Sequence, residues 1–478
     1  MADDLTVSTS GAAALPEVAS EAAAPRAGPS GGGATPAVVA GVAAGRAARR
    51  WQAAALAAYA LHLLTLFALA LSNILLGLTL ALAPRALAAR RVRWAVLEPV
   101  LVPMGFYLVF LGASVVLSYE VRPSLYSLGE TFAFATLFLG PGLVRGEREL
   151  RWVVDGLVAV AALISLRGLW QYLWTSFGEL DQRLRGPFSH YMTLSGVLLI
   201  TDVLLITQMV CGRAARSVWR WAALALINVA LIGTLTRGAW LALAGTLVCL
   251  LAAHGRRRRA PGRPLHRGRR YAAIFALAAL AVFLAVPPRV LRRAASIFDL
   301  DDPSNYDRLC MIDAGLHMIA ERPFVGLGPD MVDHRYEIYR QPTAPRYWVP
   351  HLHNSFLEIA AERGLPSLAA YLWLMIAGVR VALRRYRREG GLGGPRPDLY
   401  LGSVLALLAF NIAGLFENNW GDAEVKRLAL FALMMPFCLE LADTEAEPGA
   451  QPGAAPESGV RESSASGAGE AHASGSGA

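Results

Sequence analysis

Residues 350 to 366 read PHLHNSFLEIAAERGLP, a polar stretch in an otherwise strongly apolar chain, and its residue types can move protons. Ser355 followed three residues later by Glu358 predicts a capping box, while Gly364 and Pro366 predict a helix stop and restart, leaving a helix of about two turns. His351, His353 and Asn354 then stand just ahead of that helix. There the unpaired backbone N–H groups and the dipole favour an anion. The same positive end disfavours an imidazolium, so a neutral His353 can accept a proton. The plainer alternative is that Asn354 and His353 only cap the helix.

Proton transfer next to an anion needs fixed positive charge, and three places supply it: Arg183 and Arg185 in DQRLRGPFSHY, Arg237 in TLTRGAWLAL, and Arg308. A guanidinium binds phosphate through two parallel hydrogen bonds and does not lose its proton, so clustered arginines can hold a pyrophosphate where no magnesium is supplied. A single arginine at a helix end can equally be a snorkelling anchor. DLDD at 299 to 302 has the Asp-x-Asp spacing of a divalent-ion site. The following Pro303, Ser304 and Asn305 favour turn and cap chemistry instead. Glu417, Asn418, Asn419 and Asp422 around Trp420 make a polar helix end, suited to solvent or to a sugar. Arg167 and Asp202 fall inside apolar segments, where a buried pair bracing two helices is expected.

These residues must be held by a membrane bundle. The chain has 478 residues, 55% hydrophobic and 17% charged, which excludes an ordinary soluble enzyme. Its mean hydropathy of +0.41 agrees. The net charge of +9 sits in short arginine clusters between apolar runs, as the positive-inside rule requires, and not in a nucleic-acid face. Four cysteines, three of them inside apolar segments, predict neither a disulfide framework nor a metal cluster.

Apolar segments of about 20 residues cross a bilayer. They fall near 51–69, 71–87, 94–118, 124–143, 152–173, 190–211, 219–236, 238–254, 271–287, 367–383, 400–418 and 427–441. The expected fold is therefore all-α, a polytopic bundle of about twelve transmembrane helices, with 51–87 readable as one span or two. Five parts follow: a disordered tail over 1–50, the first part of the bundle over 51–287, a mostly helical cap loop over 288–366, the last part of the bundle over 367–441, and a second disordered tail over 442–478. One orientation places every short basic cluster and both termini in the cytoplasm. It leaves 174–189, the turn at Arg237, the loop 288–366 and 419–426 on the outer face. Within that loop Leu309, Ile312, Leu316 and Ile319 recur at helical spacing and predict one apolar face that starts beside Arg308.

Taken together, His353 and Asn354 followed nine residues later by Gly364 and Leu365, ERPFVGLGPDM at 321–331 with Arg308 upstream, LTRGAWLAL at 235–243 and RGPFSHYMTLSG at 185–196 resemble the O-antigen ligase and polymerase family of bacterial surface-polysaccharide enzymes. The resemblance covers roughly 185 to 385. It departs at Ser367, where the family pattern has a second glycine. It implies an inverting, metal-independent and cofactor-free glycosyl transfer on the periplasmic face of the inner membrane, from a polyprenyl-pyrophosphate-linked glycan to a hydroxyl of lipid A core or a similar acceptor. Carried over, His353 is the catalytic base, Arg185, Arg308 and Arg237 bind the pyrophosphate, and Asn354, Arg183 and His351 support them. A polymerase joining repeat units is the alternative within the class. A polysaccharide transporter or flippase is the alternative outside it, and it would call for interrupted, repeated helices that the sequence does not display.

Overall fold

The computed structural model describes residues 36–88, 90, 92–175, 183–211, 217–258, 288–299 and 302–446. The expected span 271–287, the basic run at 256–270 beyond Arg258, and most of both expected tails lie outside these residues. The chain divides into two units, 1–48 and 49–478, and the description below concerns the second.

Among the described residues every element is helical. In order these are α1 (Pro36–Leu64), α2 (Leu69–Leu87), α3 (Glu98–Val116), α4 (Val121–Tyr126), α5 (Thr136–Leu143), α6 (Glu147–Thr175), α7 (Tyr191–Val210), α8 (Val218–Gly233), α9 (Arg237–Arg258), α10 (Pro288–Ala295), α11 (Pro303–Glu321), α12 (Met331–Tyr339), α13 (Ser355–Arg388), α14 (Pro397–Gly414) and α15 (Ala423–Ala446). Seven described helices are long and apolar enough to cross a membrane: those over 69–87, 94–116, 147–174, 191–210, 237–255, 355–388 and 397–414. Helix α8, with 16 residues, is apolar but shorter.

The expected fourth span, 124–143, is not one helix. It breaks into the end of α4, a stretch of 3-10 helix over Ser127–Ala135, and α5. Here a tertiary constraint outweighs hydropathy. Glu130 lies in the 3-10 stretch, where its carboxylate accepts from Lys426 Nζ at 2.8 Å and faces Arg363 Nη2 at 3.4 Å. Lys426 and Arg363 are 2% and 4% exposed, so without Glu130 two cations would be buried with too few partners. Arg363 also meets Glu362 at 3.2 Å.

Helix α14 packs along both α7 and α9, and α13 packs along α3. This places the first turns of α7, α9 and α13 beside the last turn of α14. Between α9 and α13 the described residues form α10, α11, α12 and the chain leading into α13, a segment termed the cap. It has a core of its own in Met311, Ala314, Met318, Leu327, Met331, Val332, Tyr336, Val349, Leu352 and Ala361. The apolar face expected on α11 is not the buried one: Leu309, Ile312 and Leu316 are exposed and Ile319 half-buried, while Met311, Ala314 and Met318 face inward. Arg167 and Asp202 do not pair either. Arg167 is exposed, and both oxygens of buried Asp202 accept from Asn228 Nδ2, at 3.0 and 3.1 Å.

Candidate active site

The polar stretch folds as a helix start, though with a different cap from the one expected. Asn354 is the N-cap, its Oδ1 accepting from the N–H groups of Phe356 and Leu357 at 3.0 Å each. Ser355 is released from capping, and its hydroxyl donates to Glu417 O at 3.0 Å while accepting from Trp420 N–H at 3.2 Å. Glu358 reaches back as a capping-box glutamate does, but to Leu352 N–H at 2.7 Å. These bonds tie the start of α13 to the turn between α14 and α15, so residues more than sixty positions apart share one small framework.

The expected helix stop is at Gly364, whose φ of +81° and ψ of 163° lie outside the helical region. A break there strands carbonyls, and the motif at 321–331 supplies their donors: Leu327 N–H to Ala361 O and Gly328 N–H to Glu362 O, both at 2.9 Å, with Leu365 N–H to Pro323 O at 2.8 Å. The two backbones lie so close that a Cβ on Gly326 would stand 2.3 Å from the Glu362 carbonyl, and one on Gly364 2.2 Å from Phe324 O. Glycine is needed at both positions for contact as well as for positive φ.

His353 sits in this frame with φ +50°, a backbone conformation that costs a residue with a Cβ on the order of 1 kcal/mol or more. Its Nδ1 lies 2.5 Å from Glu417 Oε1. Both side chains are about nine-tenths buried. Burial by itself would push the Glu417 carboxyl up. The His353 hydrogen bond and the nearby His353, His351 and Arg308 outweigh it and hold the group below the ordinary carboxylate range. A carboxylate only accepts, so Nδ1 carries a proton and donates it, and in the neutral ring the lone pair is then on Nε2. His351 stands against His353 with ring centroids 4.3 Å apart, edge to face. Burial first, and then the neighbouring His353, push His351 down to about 4, so it is neutral at physiological pH.

Arg308, at the start of α11, places Nη2 3.5 Å from Glu417 Oε2, completing a chain from base to carboxylate to guanidinium. A small pocket opens beside it, lined by Ser195, Thr236, Arg308, Phe416, Glu417 and Asn419 among others.

The remaining arginines are placed differently. Arg237, 4% exposed, binds the cap: it donates to Ser296 O at 2.8 Å, Ser296 Oγ at 2.9 Å and Asn305 Oδ1 at 2.6 Å, with Asp302 Oδ1 at 3.4 Å. Arg183 and Arg308 lie within electrostatic range of it. Arg183 stacks over the Tyr191 ring at 4.5 Å, and Arg185 is exposed in the segment leading to α7. Asp302 of DLDD caps α11 through Ser304 and Asn305 N–H, the cap chemistry favoured over a divalent-ion site.

Sequence reasoning placed Glu417 in a polar helix end suited to solvent or to a sugar and gave it no part in the chemistry. A carboxylate beside three other polar side chains, Asn418, Asn419 and Asp422, carries no local mark of a partner 64 residues away. The neighbouring Trp420 did carry a signal, as a tryptophan within a polar run. It is 1% exposed, and its Nε1 donates to Tyr107 Oη at 2.8 Å, anchoring the turn that presents Glu417.

No curated protein matches the chain. Residues 222–372 match the family model described as O-antigen ligase, a segment that takes in Arg237, Arg308, His351, His353 and the Gly364 break and leaves Glu417 outside. By that match, residues 222–372 of this membrane-helical chain are similar to the O-antigen ligase family, and His353 lies within the matched segment.

Proposed function

We propose that the protein is an O-antigen ligase-like glycosyltransferase that moves a glycan from a polyprenyl pyrophosphate to a hydroxyl of lipid A core or a comparable acceptor, on the periplasmic face of the inner membrane. The observation that carries this reading is the continuous chain His353–Glu417–Arg308 beside a pocket. His353 Nε2 takes the proton of the acceptor hydroxyl as its oxygen attacks the anomeric carbon. The carbon–oxygen bond to the pyrophosphate breaks in the same displacement, which inverts the anomeric centre, and the electron pair leaves on the pyrophosphate. Glu417 holds the ring tautomer and stabilises the imidazolium as it forms. Arg308 meets the charge that builds on the leaving group, and Arg183 and Arg185 add to the positive field around it. Arg237 acts from behind, fixing the cap that carries Arg308.

No nucleotide sugar is available outside the cytoplasm, so a lipid-borne donor suits a site formed at the end of a membrane bundle. The test is transfer in proteoliposomes from a polyprenyl-pyrophosphate glycan to lipid A core, with the anomeric configuration of the product read by NMR. His353→Ala is expected to lower the rate by about 10²- to 10⁴-fold while the protein still reaches the membrane. An unchanged rate sinks the assignment. A product lengthened by repeat units on the carrier, with nothing on lipid A core, would replace ligase by polymerase.

A further inference from the structure

His351, His353 and Glu417 each offer one ligand atom, and the three lie within 4.8 Å of one another. Two imidazoles and a carboxylate with a side left open form a donor set that zinc accepts in tetrahedral sites. One atom of this group, His351 Nδ1, is also buried without a hydrogen-bond partner, and Glu417 Oε2 has Arg308 Nη2 only at 3.5 Å. A buried polar atom left unpaired costs free energy, and a ligand that pairs it recovers that cost.

We propose that His351, His353 and Glu417 are a zinc-accepting site, and that occupation of this site switches off the protein by taking the imidazole that serves as base. Ligand atoms around tetrahedral zinc stand about 3.3 Å apart, given bonds near 2.0 Å. The metal therefore enters between His353 Nδ1 and Glu417, now 2.5 Å apart, and draws His351 inward, while the ring proton moves from Nδ1 to Nε2 and removes the lone pair that acts as base. Arg308, 3.5 Å from Glu417, opposes the incoming cation and keeps the affinity moderate, so the site responds to free zinc and does not hold it permanently. Binding stands on the donor set alone, whereas inhibition rests on the reading of His353 as the base.

The test uses the full chain, stripped with a chelator and titrated with zinc by calorimetry, with X-ray absorption reporting nitrogen and oxygen ligands near 2.0 Å. One zinc per chain is expected. His351→Ala should weaken it by at least about tenfold, and Arg308→Gln should tighten it, a gain that misfolding cannot mimic. Absence of saturable binding, or binding indifferent to both substitutions and so due to other histidines, overturns the site. Zinc bound with both dependences while transfer continues at full rate overturns the inhibition and the base role together. Loss of transfer in His353→Ala without zinc binding leaves the base role standing and removes only the zinc site.

Discussion

His353 Nδ1 and Glu417 Oε1 lie 2.5 Å apart, joined across 64 residues of chain, and this contact decides which ring nitrogen is free to act. The first prediction follows directly. Glu417→Gln keeps the shape but presents an amide that no longer stabilises an imidazolium, and transfer should fall by about 10²- to 10⁴-fold, close to the loss for His353→Ala. The double variant should lose little more than either single one, because the two residues act as a unit. Losses that multiply in the double variant would show independent roles.

Arg308 touches the carboxylate and lines the pocket, so both its charge and its shape enter. Arg308→Lys keeps the charge and loses the planar fork, and should retain part of the activity that Arg308→Ala abolishes. Initial rates at saturating donor separate these. Equal rates for the two variants would show that only the fork matters.

Arg237 is committed to Ser296, Asn305 and Asp302. Arg237→Ala should loosen the link between α9 and the start of the cap, seen as faster trypsin cleavage at Arg292. Unchanged protease resistance with lost transfer would instead place Arg237 at the pyrophosphate.

Gly326 and Gly364 have positive φ and backbone neighbours that a methyl group would strike. Either one changed to Ala should cost on the order of 3 kcal/mol or more, because backbone cannot move aside as a side chain can. The readout is the midpoint of thermal unfolding in detergent, and a shift of less than a degree would contradict the close approach.

Acid should weaken the site through His351 and Glu417. The folded pKa of His351 is lowered to about 4 from an unfolded value of about 6.5, so between these pH values the unfolded chain binds a proton that the native state refuses. Stability is complete above the unfolded value and falls as pH drops from about 6.5 towards 4. Glu417, also lowered, adds a loss that begins as pH falls through its unfolded value of about 4.3 and continues to its folded one. His351→Gln should flatten the upper part of this slope in pH-dependent unfolding, and an unaltered slope would refute it.

The amino-acid sequence determined what local physics can determine. Apolar run lengths gave a helical membrane protein, Ser355 and Glu358 gave a helix start whose cap the structure moves to Asn354, Gly364 with Pro366 gave its interruption, and Asp302 before Pro303 gave a cap. Each of these depends on residues within about one helical turn. The tertiary structure alone decided the rest. Helical spacing told which α11 residues share a face, but only packing against Leu352 and Leu357 decided that Met311, Ala314 and Met318 are covered and Leu309, Ile312 and Leu316 are not. Hydropathy made 124–143 a span, but Lys426 and Arg363, distant in sequence, hold Glu130 in a broken segment. The His353–Glu417 contact is of the same kind, since a hydrogen bond depends on position in space and side chains this far apart in the chain meet only after the helices that carry them have packed.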